Sequence, residues 1–161
     1  MSSSINQPGR DNASGLIDDR QEQGFVTLTL GGQLCGVPVL AVREVITNSK
    51  IVRVPLAPSE IAGNINLRGR IVTAVDTRRR LGLAPAAEGG DRFALVAEAD
   101  GALYALLIDQ VQEVLSLRAD LIEDTPSNLS ATWRRFSSGV FRLPERLMVV
   151  LDIDRLLALP A

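Results

Sequence analysis

Residues Ile61 to Leu83, IAGNINLRGRIVTAVDTRRRLGL, carry the densest local signal in the chain. Ile65 and Leu67 alternate with Asn64, Asn66 and Arg68, the period-two pattern of a half-buried strand. Arg68-Gly69-Arg70 reads as a turn, because Gly69 has no Cβ to oppose it. Ile71, Val72, Ala74 and Val75 then form a strand of buried type. Asp76 is placed to cap a short helix whose Leu81 and Leu83 face back to the core. Arginines at 68, 70, 78, 79 and 80 crowd this stretch, and any functional account has to place them.

Outward from this segment the chain is a series of short apolar runs between turns. Residues 1–23 are rich in Ser, Asn, Gln, Asp and Gly, too polar to offset their ordering entropy, and read as a disordered tail. FVTLTL, the turn Gly31-Gly32 and QLCGVPV form a hairpin. LAVREVI (40–46) fits either a helical turn or a strand. IVRVP (51–55) reads as a strand stopped by Pro55, and Ser59 as an N-cap to a single turn. Residues 84–91 read as a linker. RFALVAEA, the turn Asp100-Gly101 and ALYALLI form a second hairpin, with Asp-Gly a favourable two-residue turn.

The two halves repeat. Gly32-Gln33-Leu34-Cys35 aligns with Gly101-Ala102-Leu103-Tyr104, 69 positions on (32 to 101), and this register lays Val42–Ile46 on Val111–Leu115. Gly63 aligns with Gly139, 76 positions on (63 to 139), laying Leu67 on Leu143, Arg70 on Arg146, Asp76 on Asp152, and Leu81 and Leu83 on Leu157 and Leu159. The difference, 76 − 69 = 7, predicts extra residues in the second copy, near Pro126 to Trp133. The expected fold is mainly β: two similar units of about five short strands, each ending in a helix, with 24–83 as first repeat and 92–161 as second. Many short strands between Gly and Pro turns point to barrels or sandwiches.

Composition narrows the function. The 161 residues are 46 % apolar and 22 % charged, with a formal net charge of −2, so no bulk field attracts nucleic acid or an anionic membrane. Aromatic residues make up 4 %, too few for a base-stacking platform. No apolar run approaches the roughly 18 residues of a membrane span, and the N-terminus lacks a signal-peptide core. The single cysteine, Cys35, excludes an internal disulfide and agrees with a reducing cytoplasm. The chain has no histidine, which removes most zinc sites and all histidine-based nucleophilic dyads and triads. Metal sites, cofactors and catalytic residues are therefore not expected.

GVPVLAVREVI and IVRVPLAPSEIAGNINLRGRIVTAVDTRRRLGL resemble the CheW family of chemotaxis coupling proteins. The most specific part is G-x-x-N-L-R-G-x-I-V at Gly63–Val72, followed by V-D-x-R-x-R-L-G at Val75–Gly82, and the likeness covers about Gly24 to Leu159. The resemblance implies two SH3-like five-stranded β-barrels on a shared core. It also implies a non-catalytic cytoplasmic adaptor, recruited to receptor arrays at the inner membrane. Its partners would be methyl-accepting chemotaxis receptors and the regulatory domain of a CheA-type histidine kinase. An adaptor of a non-flagellar pathway is the alternative within the family; a small β-barrel enzyme using carboxylates is the alternative outside it. Thr73 and Thr77 depart from the family pattern, which often has proline and an apolar residue there.

The same resemblance places the receptor-binding surface at Val42, Glu44, Gly63, Asn64, Ile65, Asn66, Leu67 and Arg68, with Glu44 and Arg68 able to pair. Taken without it, that pair is an ordinary structural salt bridge, and Val42, Ile65 and Leu67 are core residues. Arg78, Arg79 and Arg80 are a solvated helix face pairing with nearby acids, or a kinase contact. Asp76 and Asp152, at equivalent positions, fit helix capping better than acid–base chemistry. Asn66 and Arg68 have no counterpart in the second copy, which holds Arg142 and Pro144 instead.

Overall fold

The computed structural model describes residues 21–47, 50–86 and 92–159. In chain order the strands are β1 (Glu22–Leu30), β2 (Gln33–Pro38), β3 (Glu44–Thr47), β4 (Ile61–Leu67), β5 (Arg70–Asp76), β6 (Phe93–Ala99), β7 (Ala102–Ile108), β8 (Gln110–Arg118), β9 (Ser137–Arg142) and β10 (Leu147–Leu151). Short helices α1 (Thr77–Arg80), α2 (Ala131–Phe136) and α3 (Ile153–Leu156) interleave with them.

The strands form two five-stranded sheets that exchange their hairpins. One runs β8-β1-β2-β10-β9, the other β3-β6-β7-β5-β4. The β1–β2 hairpin of the first repeat is thus built into the sheet carrying β8, β9 and β10 of the second. The β6–β7 hairpin of the second repeat sits in the sheet carrying β3, β4 and β5 of the first. Sequence repeats and sheets do not coincide. The exchange joints are parallel pairings: Cys35 and Gly36 register with Val149 and Val150, and Tyr104 and Ala105 with Thr73 and Ala74.

Period-two alternation explains the unbroken apolar runs. Leu95 points into a core shared by both sheets, while its neighbours Ala94 and Val96 fill the interior of one barrel. Val149 likewise joins the shared core while Met148 and Val150 fill the other barrel. The shared core contains Leu28, Leu30, Val37, Val75, Leu106, Phe136 and Leu156. Each fully buried side chain of this size contributes about 1.5–3 kcal/mol of transfer free energy, so the interface between barrels is also the main stabilising centre.

The repeat holds at backbone level. Gly31-Gly32 and Asp100-Gly101 turn with positive φ at both positions (59° and 81°, 51° and 79°), matching the right-handed twist of their hairpins. Gly63 and Gly139 share φ of 150° and 155°. Beside them, single bridges tie Val52 to Asn64 and Glu123 to Val140. Asp76 accepts from the Arg79 N–H and Asp152 from the Arg155 N–H, each at 3.1 Å, so both cap their helices. The offset is 71 for Val52 and Glu123 but 76 for Glu60 and Phe136, whose carbonyls accept from the Asp76 and Asp152 N–H groups. Five of the seven extra residues (76 − 71 = 5) therefore lie between Glu123 and Phe136. The helix α2 built there buries Trp133 and Phe136 against the shared core.

Several local expectations are corrected. β1 starts at Glu22, inside the expected tail, because Glu22 and Gln23 register with Arg118 and Leu117 of β8 and cross-strand pairing offsets their polarity. Residues 1–20, and most of the expected linker, lie outside the described residues. Residues 51–55 form no strand beyond the bridge at Val52; Pro55 and Pro58 cannot donate to a ladder. Ser59 caps no helix, since β4 begins two residues later. Ile71 is 65 % exposed on the outer face of β5 rather than buried. Segment 40–46 divides: Val39–Ala41 is a 3-10 turn and β3 follows.

Candidate functional site

The seam between the two edge strands of the second sheet is the candidate site. β3 and β4 are its first and last strands, and no ladder joins them. Glu44 opens β3; Arg68 follows the end of β4. Both Arg68 Nη1 (3.3 Å to Glu44 Oε2) and Arg68 Nη2 (to Glu44 Oε1) donate to the one carboxylate, a forked ion pair across the gap. The Arg68 side chain is 72 % exposed and that of Glu44 31 %. The paired carboxylate holds the Arg68 guanidinium charge more firmly than in a free arginine, chiefly by hydrogen bonding.

The backbone aims this arginine. Arg68 and Gly69 have φ of 50° and 86°, the left-handed pair of a tight hairpin turn between β4 and β5. Asn66 Oδ1 accepts from the Gly69 N–H at 3.0 Å and fixes the turn. Asn66 thus acts through its carboxamide on the loop that carries Arg68.

The other expected site residues separate into surface and support. Asn66 is exposed, Asn64 half-buried, with its backbone paired to Val52 in both directions (2.7 and 2.8 Å). Ile65 is 3 % exposed and lies in the barrel interior. Leu67 and Val42 are half-buried, packed on the barrel interior and the shared core respectively. Gly63 is buried, and a Cβ there would overlap the Val52 carbonyl oxygen. Its absence of side chain lets segment 51–53 lie along β4.

The three arginines of α1 do different things. Arg78 forms a two-point pair with Asp109 (2.9 and 2.7 Å) and donates to the Ala84 carbonyl. Asp109 also accepts from the Gly31 N–H at 2.8 Å. Partial burial pushes the Asp109 carboxyl up, but Arg78 and the Gly31 N–H outweigh it and hold the carboxyl below its ordinary value. Arg80 donates to the carbonyls of Leu156 and Arg155 at the C-terminus of α3 (2.9 and 2.8 Å) and stacks 4.7 Å over the Phe136 ring. Burial, then the neighbouring Arg135, lower its affinity for its proton. Arg78 and Arg80 therefore fasten the two halves together, while Arg79 is exposed. The Asp109 hub left no mark in the sequence, because its partners lie 78 and 31 positions away. Cys35 is fully buried and its thiol is pushed up to about 12, mainly by burial; it packs as a small apolar residue.

Among the described residues, no group of three His, Cys, Asp or Glu side chains could hold a metal ion, and no helix is long and apolar enough to cross a membrane. Two hairpin-exchanged five-stranded sheets on one shared core define the chain as a small all-β protein of two interlocked β-units. The CheW-like domain model matches residues 24–161, and the chain belongs to that family. It is 30 % identical over 130 residues to the chemotaxis protein CheW of Rhizobium meliloti, covering 81 % of this chain and 84 % of that one. It is 28 % identical over 150 residues to the CheW of Klebsiella aerogenes, covering 93 % and 90 %. The crystal structure of the scaffolding protein TtCheW from Thermoanaerobacter tengcongensis superposes with a TM-score of 0.77 at 25 % identity, covering 86 % of this chain and 94 % of that one.

Proposed function

We propose that the chain is a non-catalytic adaptor that couples the cytoplasmic tips of methyl-accepting chemotaxis receptors to a CheA-type histidine kinase. It works in the cytoplasm at receptor arrays. The observation that supports this reading best is the forked Glu44–Arg68 pair, held at an open seam by a turn that Asn66 fixes. A paired arginine and carboxylate at a surface give orientation and partner choice more than affinity. Leu67, half-buried on the barrel interior, and Val42, half-buried on the shared core, supply apolar area for one face of a receptor helix. Ile65 and Gly63 support this surface from inside. Arg79 is the arginine of α1 left available for a kinase contact, since Arg78 and Arg80 are engaged within the protein.

The test is binding of a purified receptor cytoplasmic-tip fragment to the wild type and to Arg68→Glu, with circular dichroism on both. The reading requires weakened binding by a folded variant. Unchanged binding would remove the seam from the receptor surface.

A further inference from the structure

A second surface lies away from the seam. Segment 50–62, α1 and the start of β6 enclose an open cleft of about 1100 Å³. Lys50, Arg53, Arg79 and Arg92 line it, and all four are exposed. None of the four is in an ion pair among the described residues. By contrast Arg43, Arg68, Arg78, Arg118, Arg142 and Arg155 are each paired with a carboxylate. The acids in the cleft are already engaged: Asp76 caps α1, and Asp109 is held by Arg78 and the Gly31 N–H. Among the described residues, four basic side chains without a carboxylate partner thus face one concavity of a chain whose net charge is −2.

The lip of this cleft is apolar and strained. Leu56 is fully exposed (104 %) and has φ of 65°, a left-handed conformation that costs a non-glycine residue about 1–2 kcal/mol. Val54, two residues earlier, is 39 % exposed. Leu56 follows Pro55 at the corner of a turn in which the Ala57 N–H donates to the Val54 carbonyl at 3.4 Å, and this turn holds the leucine outward; strained, apolar, solvent-facing positions recur in binding loops.

We infer that this cleft is a docking site for an acidic segment of a partner protein that carries a large aliphatic residue. Carboxylates of the segment lie against Lys50, Arg53, Arg79 and Arg92, and its aliphatic side chain packs on Leu56 and Val54. Charge complementarity selects the class of partner, and the apolar lip favours a peptide over a nucleic-acid backbone, for which the protein offers no aromatic platform. The inference rests on the cleft alone and does not depend on the receptor seam.

The probe is a fluorescein-labelled peptide in which one leucine is flanked on both sides by glutamates, titrated by anisotropy against the full chain. Binding is expected to weaken about tenfold or more in Arg53→Glu/Arg92→Glu, and to weaken as salt shortens the screening length. Arg79→Ala gives a second, milder variant. Leu56→Asn, which keeps a residue tolerant of the left-handed backbone, is expected to weaken binding severalfold. Arg142→Gln, on β9 of the other sheet, leaves it unchanged. Melting curves confirm that each variant is folded. The inference is overturned if the peptide does not bind, if the charge-reversed variant binds as well as wild type, or if a glutamine-for-glutamate peptide binds equally. It is also overturned if a single-stranded oligonucleotide or phosphatidylserine vesicles bind more tightly than the peptide and lose that binding in the same variant.

Discussion

Glu44 and Arg68 pair across the gap between β3 and β4, the two edge strands of one sheet. The pair closes a barrel that backbone hydrogen bonds leave open. Both side chains are accessible, so the pair adds little to stability: exposed pairs are worth about 0.2–1 kcal/mol. Its value lies in where it holds the two charges.

This separates stability from binding. Arg68→Glu should leave the urea midpoint almost unchanged while weakening receptor-fragment binding. The swapped double variant Glu44→Arg/Arg68→Glu restores an ion pair with reversed polarity. Its urea midpoint should match that of the wild type while receptor-fragment binding stays weak, measured by isothermal titration beside urea unfolding.

Gly63 behaves differently. The resemblance places it on the receptor surface. The buried position against the Val52 carbonyl makes it a structural glycine. Gly63→Ala should displace segment 51–53 and cost about 2–4 kcal/mol, seen as a lowered melting temperature. Gly139→Ala, where a Cβ would meet the Glu123 carbonyl oxygen at 2.9 Å, should destabilise similarly.

Thr77 offers the opposite effect. Its Oγ1 is buried with no hydrogen-bond partner among the described residues, and Thr77 stands where the CheW resemblance leads one to expect an apolar residue. Thr77→Val removes the unpaired hydroxyl and keeps the shape. It should stabilise the protein by about 1 kcal/mol, read from urea unfolding.

Asp109 sets an acid limit. Its native carboxyl is held below the ordinary value, so it contributes stability above about pH 4, and that contribution is lost as pH falls through the lowered native value. Asp109→Asn should cost about 1–2 kcal/mol at pH 7. It should narrow the stability difference from wild type as the pH falls below 4, followed by thermal unfolding across pH.

The sequence made the opening hairpin and α1 legible because each step is local: alternation in β4, a glycine turn, then a capping aspartate three residues before the N–H it accepts. The repeat was legible for the same reason. The exchange of hairpins was not, since β2–β10 and β5–β7 pairings join residues far apart, and apolar strands carry no mark of their neighbours. The exposure of Ile71 is not legible in the sequence, because a strand buried on both faces and one buried on a single face can start with the same residues. Of the site, Glu44 and Arg68 could be paired only through the family resemblance. Arg78 and Arg80 could not be told from Arg79, because their carbonyl and carboxylate partners come from the other half of the chain.

The coupling claim is tested most directly by sedimenting receptor-bearing membranes with a CheA-type kinase, with and without this chain, and measuring kinase in the pellet and its phosphorylation rate. The account predicts that the chain brings kinase into the pellet and makes its activity respond to receptor ligand, and that Arg68→Glu loses both while remaining folded. Kinase recruitment and ligand response that are the same without the chain, or fully retained by Arg68→Glu, would contradict it.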